Sequence, residues 1–120
     1  MLCSPALRKI GLYEGFAQER GLSLVYPSDE DAMLEVIRAI KRGQVRNPGT
    51  LAAFTWAAEE LKARGADLLV MACTELSVIK DALDASVPVV DTVQVLAEQV
   101  VAAAGGTDCA VLACAATATT

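Results

Sequence analysis

The chain predicts an α/β fold, a single three-layer domain built on a short, mostly parallel sheet. Three observations predict it. Apolar runs and helical stripes alternate in the order β-α-β-α-α-β-α-β-α, the pattern of crossover units in a doubly wound or related sheet. The composition is 54% hydrophobic but only 4% aromatic. Such a core must be built from Ala, Val, Leu and Ile, the mix that suits strands buried under helices on both faces. The run Asp67-Leu68-Leu69-Val70-Met71-Ala72-Cys73 reads as a buried strand that stops where a helical pattern starts. Ligands of parallel sheets gather at that end of a strand. The 120 residues suit one domain, read here as residues 1–104, followed by an Ala- and Thr-rich tail over residues 105–120.

Taken in order, Met1-Leu2-Cys3 reads as the stub of a strand, shorter than the ordinary ~5–6 residues. Pro5 opens a helix from about Ala6 to Arg20 with Ser4 as its N-cap; Gly11 and Gly15 weaken it and Gly21 ends it. Leu22 to Tyr26 reads as a second strand closed by Pro27. Ser28 is placed as the cap of the next helix, with Asp29, Glu30 and Asp31 complementing its dipole. Met33, Val36, Ile37 and Ile40 then fall on one apolar face. A turn-rich link from Gly43 to Gly49 leads to a helix with the stripe Leu51, Phe54, Ala57, Ala58 and Leu61, stopped near Arg64-Gly65. After the Cys73 strand come a short helix over about Glu75–Leu83, a strand at Val87–Val90, and a helix from Asp91-Thr92 to near Ala104. The tail reads either as disordered or as a short strand over Cys109–Cys114. The short first strand and this tail together suggest a fragment.

Composition also excludes chemistry. The chain has 10 basic and 15 acidic residues, a net charge of −5, and no histidine. Without a basic cluster, nucleic acid is not an expected partner. Without histidine there is no Cys-His or Ser-His pair and no imidazole ligand for a metal. The four cysteines, Cys3, Cys73, Cys109 and Cys114, lack CxxC spacing. No secretory leader pattern opens the chain, so free thiols in a reducing cytoplasm are expected. No apolar run reaches the ~20 residues of a membrane span.

Cys73 is the leading candidate for catalysis, because a helix N-terminus favours thiolate over thiol. Thr74 and Glu75 follow it. Thr74 reads equally as a cap and as a contact for a substrate carboxylate, and Glu75 as a dipole partner or as a group tuning the thiol. Asp91, Thr92 and Ser4 carry the same double reading, with helix capping at least as well supported as ligand contact. Cys3, Cys109 and Cys114 read as structural, Phe54 and Trp56 as core or interface packing. Arg38, Lys41, Arg42 and Arg46 read as a solvated helix face and linker.

Gly65-Ala66-Asp67, Ala72-Cys73-Thr74-Glu75-Leu76 and Val87-Pro88-Val89-Val90-Asp91-Thr92, with the opening Leu2-Cys3-Ser4-Pro5-Ala6 and the Leu22–Pro27 segment, carry a resemblance. Over about residues 2–104 the chain resembles the aspartate/glutamate racemase superfamily, in its aspartate-racemase-like branch, and matches the C-terminal half of such enzymes. The resemblance implies one half of a pseudo-symmetric two-domain racemase, with one cysteine from each half facing a cleft. It also implies cofactor-independent racemisation of a small amino acid, aspartate first, in which one thiolate removes the α-proton and an opposed thiol returns one. No metal, PLP or nucleotide is implied. The family's first half, with its own strand-end cysteine, is not in this sequence. The expected partner is therefore a missing N-terminal half or a second copy, and the isolated chain is expected to be inactive. Two other functions remain open: a non-catalytic interaction module, or a decarboxylase of the same superfamily in which a single cysteine protonates an enolate.

Overall fold

The computed structural model describes residues 1–84 and 86–105. Three parallel strands, β1 (Leu2–Cys3), β2 (Leu69–Ala72) and β3 (Val89–Asp91), form an open sheet in the order β1-β2-β3. Leu2 pairs with Met71 and Cys3 with Ala72. On the other side of β2, Leu69, Val70 and Met71 pair with Val89, Val90 and Asp91. The predicted α/β class and parallel sheet are both found.

Among the described residues six α-helices flank this sheet: α1 (Pro5–Ile10), α2 (Glu14–Glu19), α3 (Glu30–Lys41), α4 (Pro48–Ala63), α5 (Thr74–Val78) and α6 (Thr92–Ala103). The predicted stripes of α3 and α4 are the core. Met33, Val36, Ile37 and Ile40 meet Phe54, Ala57, Ala58 and Leu61 against Leu2, Leu69 and Met71, with Leu76 closing the strand end. Phe54, Leu61, Met71 and Leu76 are wholly buried. Trp56 does not join them: it is 60% exposed, because two positions beyond Phe54 the helix has turned about 200° away from the stripe.

Several local expectations are corrected. The single helix expected over Ala6–Arg20 is two, broken at Gly11, whose φ of 71° is left-handed. Its N–H donates to the carbonyls of Leu7 and Arg8, both at 3.2 Å, which closes α1 as a C-cap. Leu22–Tyr26 is not a strand of the sheet. β1 offers only two residues to pair with, and the contact between them is a single bond from the Met1 amino group to the Val25 carbonyl at 2.7 Å. Asp29, not Ser28, caps α3, accepting from Ala32 N–H at 2.9 Å; the Ser28 N–H donates to Glu60 instead. The helix expected over Glu75–Leu83 stops at Val78, and one 3-10 turn, Lys80–Ala82, follows. Strand β3 begins after Pro88, which has no N–H to give a ladder; its carbonyl accepts from Leu69 N–H at 3.0 Å. Gly106–Thr120, including Cys109 and Cys114, lie outside the described residues.

Helix α6 packs on β2 and β3, yet none of its residues is buried. Its half-buried positions are Thr92, Glu98, Gln99 and Ala102, whereas Val93, Leu96, Val100 and Val101 are exposed. The large apolar residues of α6 are thus exposed, while Thr92, Glu98 and Gln99 lie half-buried. No described helix is long and apolar enough to cross a membrane.

Candidate active site

All six residues singled out from sequence lie at the carboxyl ends of the three strands, each where a helix starts. Ser4 follows β1 and caps α1, its Oγ accepting from Leu7 N–H at 3.4 Å. Asp91 ends β3 and caps α6, its Oδ1 accepting from Val93 N–H at 3.0 Å. Thr92 donates from Oγ1 to the Met71 carbonyl at 2.9 Å. That bond ties the start of α6 to the central strand, so the hydroxyl is already engaged.

Between them, Cys73 is the N-cap residue of α5, in extended backbone (φ −154°, ψ 127°) and half-buried. Its thiol donates to Glu75 Oε2 at 3.2 Å, and Thr74 Oγ1 donates to the same oxygen at 3.0 Å. The other carboxylate oxygen lies 3.5 Å from the Lys41 ammonium, at the last turn of α3. Hydrogen bonds from the Cys73 thiol, from backbone N–H and from Thr74, with the Lys41 charge, pull the Glu75 carboxyl down to about 2. Glu75 is therefore an anion whenever the protein is folded near neutrality.

The thiol responds in the opposite sense. Burial and the neighbouring Glu75 push Cys73 up from its ordinary value, against the backbone N–H groups of Leu76 and Glu75, which pull it down. The expected helix-terminus effect is present but outweighed, first by burial and then by the carboxylate that sits on the thiol; α5 has only five residues. Cys73 rests as a protonated thiol. In the strand beside it, Cys3 is buried and is pushed up to about 11, chiefly by burial. Cys3 pairs with Ala72, so the two cysteines lie side by side in one sheet edge and do not face each other across a cleft.

Three participants went unrecognised in the sequence. Lys41, taken there for a solvated charge, is the counter-ion of Glu75. Its only signal was a basic residue in a last helical turn. Ser77 donates to the Cys73 carbonyl at 3.3 Å and to Asp91 Oδ1 at 2.7 Å, linking two strand ends. Lys80 lies 3.6 Å from Asp91 Oδ2. Burial works against it, but the bonds from Ser77 and from backbone N–H, together with Lys80, leave the Asp91 carboxyl below its ordinary value. Next to Ser4 lies a second polar group: Arg8 stacks over the Tyr26 ring at 4.9 Å and pairs with Glu30 at 2.9 Å, while the Tyr26 hydroxyl donates to Glu14. Among the described residues, no cluster of three or more His, Cys, Asp or Glu side chains is arranged to hold a metal ion.

The parallel α/β sheet gathers a thiol, a carboxylate, a hydroxyl and an ammonium at its central strand end, the end at which α/β sheets generally hold their ligands. Residues 1–100 match the family described as Asp/Glu/Hydantoin racemase, and the chain belongs to that family. No solved structure matches the chain.

Proposed function

We propose that this chain carries one acid/base half of a cofactor-independent amino-acid racemase, with Cys73 as the proton-transferring thiol. The observation that supports this reading is the protonated Cys73 thiol at the central strand end, hydrogen-bonded to an ionised Glu75 that Lys41 holds. A group on the opposite face removes the α-proton, leaving the C–H electron pair on Cα, delocalised into the carboxylate. The Cys73 S–H bond then breaks, and its proton goes to the other face of Cα. Inversion results, with Cys73 left as thiolate and the opposed group protonated; the reverse turnover restores both. Glu75 positions the thiol and presents negative charge to a substrate ammonium, and Lys41 offers positive charge to a carboxylate. A small acidic amino acid, aspartate first, is the substrate class this charge arrangement suits.

The opposed acid/base group comes from another polypeptide segment or a second copy, because Cys3 shares the sheet edge with Cys73. The chain alone is therefore expected not to racemise. Incubation with L-aspartate, L-glutamate and L-alanine in D2O, following α-deuteration and chirality separately, tests this. No inversion by the chain alone is the expected result; α-deuteration without inversion, lost in Cys73→Ser and kept in Cys3→Ser, would show Cys73 exchanging a proton on one face by itself. Exchange that survives Cys73→Ser removes Cys73 from the chemistry. Inversion by the wild-type chain, lost in Cys73→Ser, places two copies of Cys73 across a dimer axis.

A single thiol kept protonated also favours a second reading, a decarboxylase in which Cys73 protonates the enolate left by loss of CO2. Release of CO2 from a 2-substituted malonate, with one deuterium delivered to Cα, separates it from the racemase. Inertness in both assays that persists when a segment supplying an opposed cysteine is added leaves the non-catalytic interaction module.

A further inference from the structure

Helix α5 sets the surroundings of the Cys73 thiol, yet it has little of its own to hold it in place. It has five residues, and so short a helix is marginal without outside contacts. Packing supplies some of them: wholly buried Leu76 enters the core, and the helix rests on α3 and β2. Polar side chains supply the rest. Glu75 reaches toward α3, where the Lys41 ammonium lies 3.5 Å from its carboxylate. Ser77, two positions on and so about 200° around the helix, reaches the other way, toward β3. Its hydroxyl donates to Asp91 Oδ1 at 2.7 Å and lies 3.3 Å from the Cys73 carbonyl. That hydroxyl has one proton, and the closer, charged acceptor is the stronger claim on it. Among the described residues this is the one hydrogen bond between α5 and β3.

Asp91 is a firm anchor for such a bond. It is buried, it pairs with Met71 in the sheet, and its Oδ1 also accepts from Val93 N–H at 3.0 Å. Its other oxygen faces Lys80 at 3.6 Å. We infer that Ser77 is a positioning residue for Cys73: by tying α5 to Asp91 it holds the helix at the angle that keeps the Glu75 carboxylate on the sulfur. The inference rests on the reading of Cys73 as the proton-transferring thiol, and it adds the group that keeps this thiol protonated at rest. Without the tie, side-chain bonds hold α5 from the α3 side only. Glu75 then follows Lys41 away from the sulfur and water reaches the thiol, so both influences that raise it, burial first and Glu75 second, weaken. The Ser77 N–H still donates to the Cys73 carbonyl at 3.2 Å, so the helical turn itself survives loss of the hydroxyl.

The test compares Ser77→Ala and Ser77→Thr with the wild-type chain by the rate of iodoacetamide alkylation of Cys73 across pH 6–11, read by peptide mapping. Amide hydrogen exchange checks the fold in each. Ser77→Ala is expected to bring the alkylation midpoint down toward the ordinary 9.0 by at least about half a pH unit, which multiplies the thiolate present at pH 8 about threefold. Ser77→Thr keeps the hydroxyl and is expected to keep the wild-type midpoint. In Ser77→Ala the α5 amides are expected to exchange faster while those of α3 and α4 stay as they were. An unchanged midpoint in Ser77→Ala overturns the inference, and so does a Ser77→Thr chain that shifts by as much. A shift accompanied by faster exchange in α3 and α4 reports a loosened fold and also overturns it. Alkylation needs no substrate, so this outcome stands apart from the racemase reading, which falls to α-exchange that survives Cys73→Ser however the Ser77 comparison comes out.

Discussion

At Cys73 two local fields oppose each other, and burial together with the carboxylate two residues on decides the outcome. A helix start pulls a thiol toward its anion, but Glu75 accepts the thiol proton at 3.2 Å and burial removes water. Removing the charge without removing the acceptor should therefore release the thiol. Glu75→Gln is expected to lower the Cys73 pKa and speed its alkylation by iodoacetamide at pH 8 by several-fold, read by peptide mapping across pH 6–9. An unchanged pH profile means that burial alone sets the thiol. In the wild-type chain Cys73, half-buried, should label ahead of Cys3, which is buried and held up near 11; equal rates would count against a reactive strand-end thiol. The site was legible in sequence to the extent that chemistry sits in contiguous residues. Cys73, Thr74 and Glu75 are neighbours in the chain, and so are Asp91 and Thr92. Lys41 lies 34 positions before Glu75 in the numbering, and only the packing of α3 on α5 brings the two together. No periodicity within α3 marks it.

Elements with a clear apolar stripe were read correctly, although the cap of α3 fell on Asp29 and not on Ser28, and those that depend on a distant partner were not. In α3 and α4 a 3.6-residue apolar period fixed both the helix and its buried face, and the facing stripes made the core. Phe54→Ala, at a wholly buried position, is expected to cost about 3–5 kcal/mol in urea unfolding. Asn47 caps α4 through the N–H groups of Gly49 and Thr50 at 2.9 and 3.2 Å; Asn47→Ala should cost about 1 kcal/mol, and a loss within error would show the cap to be replaced by solvent. By contrast, Leu22–Tyr26 has strand composition but no neighbour to ladder with, and pairing is not written in a segment's own residues. The break between α1 and α2 was half legible. Gly11 was visible as a weak point, but its left-handed φ, which makes it a terminus, belongs to the chain's path.

For the whole molecule, the absence of histidine leaves three separate pH windows. Glu75, held near 2, and Asp91, held below its ordinary value, release their protons more readily when folded. Their stabilisation is complete above the ordinary carboxylate range and is lost as pH falls from there toward 2. The Met1 amino group is depressed from 8.0. The unfolded chain binds that proton more tightly, so stability rises with pH through the window just below 8. Cys3 and Cys73 are raised from 9.0, so the unfolded chain loses thiol protons first and stability falls as pH climbs above 9. Urea midpoints across pH 2–11 should therefore peak near pH 8–9. A peak near pH 6 would mean that the amino group is not buried in solution. The outward stripe of α6, with Leu96 and Val100 at 64% and 58% exposure, predicts concentration-dependent self-association by sedimentation. Leu96→Glu should weaken it while leaving the core intact.

The same helix has a consequence for the motions of the native state. Because no α6 residue is buried, detaching it uncovers little that the core relies on; the polar contacts that hold it include the Asp91 cap, the Thr92 bond to Met71 and the bond from Lys80 to Gln94. Such a segment opens at a free energy well below that of global unfolding. Its amides should exchange as one early cooperative unit, long before those of α3 and α4. A helix that leaves and returns while the rest stays folded is also free to return to a different molecule. This gives the chain a route to exchange a whole element with a partner without passing through the unfolded state.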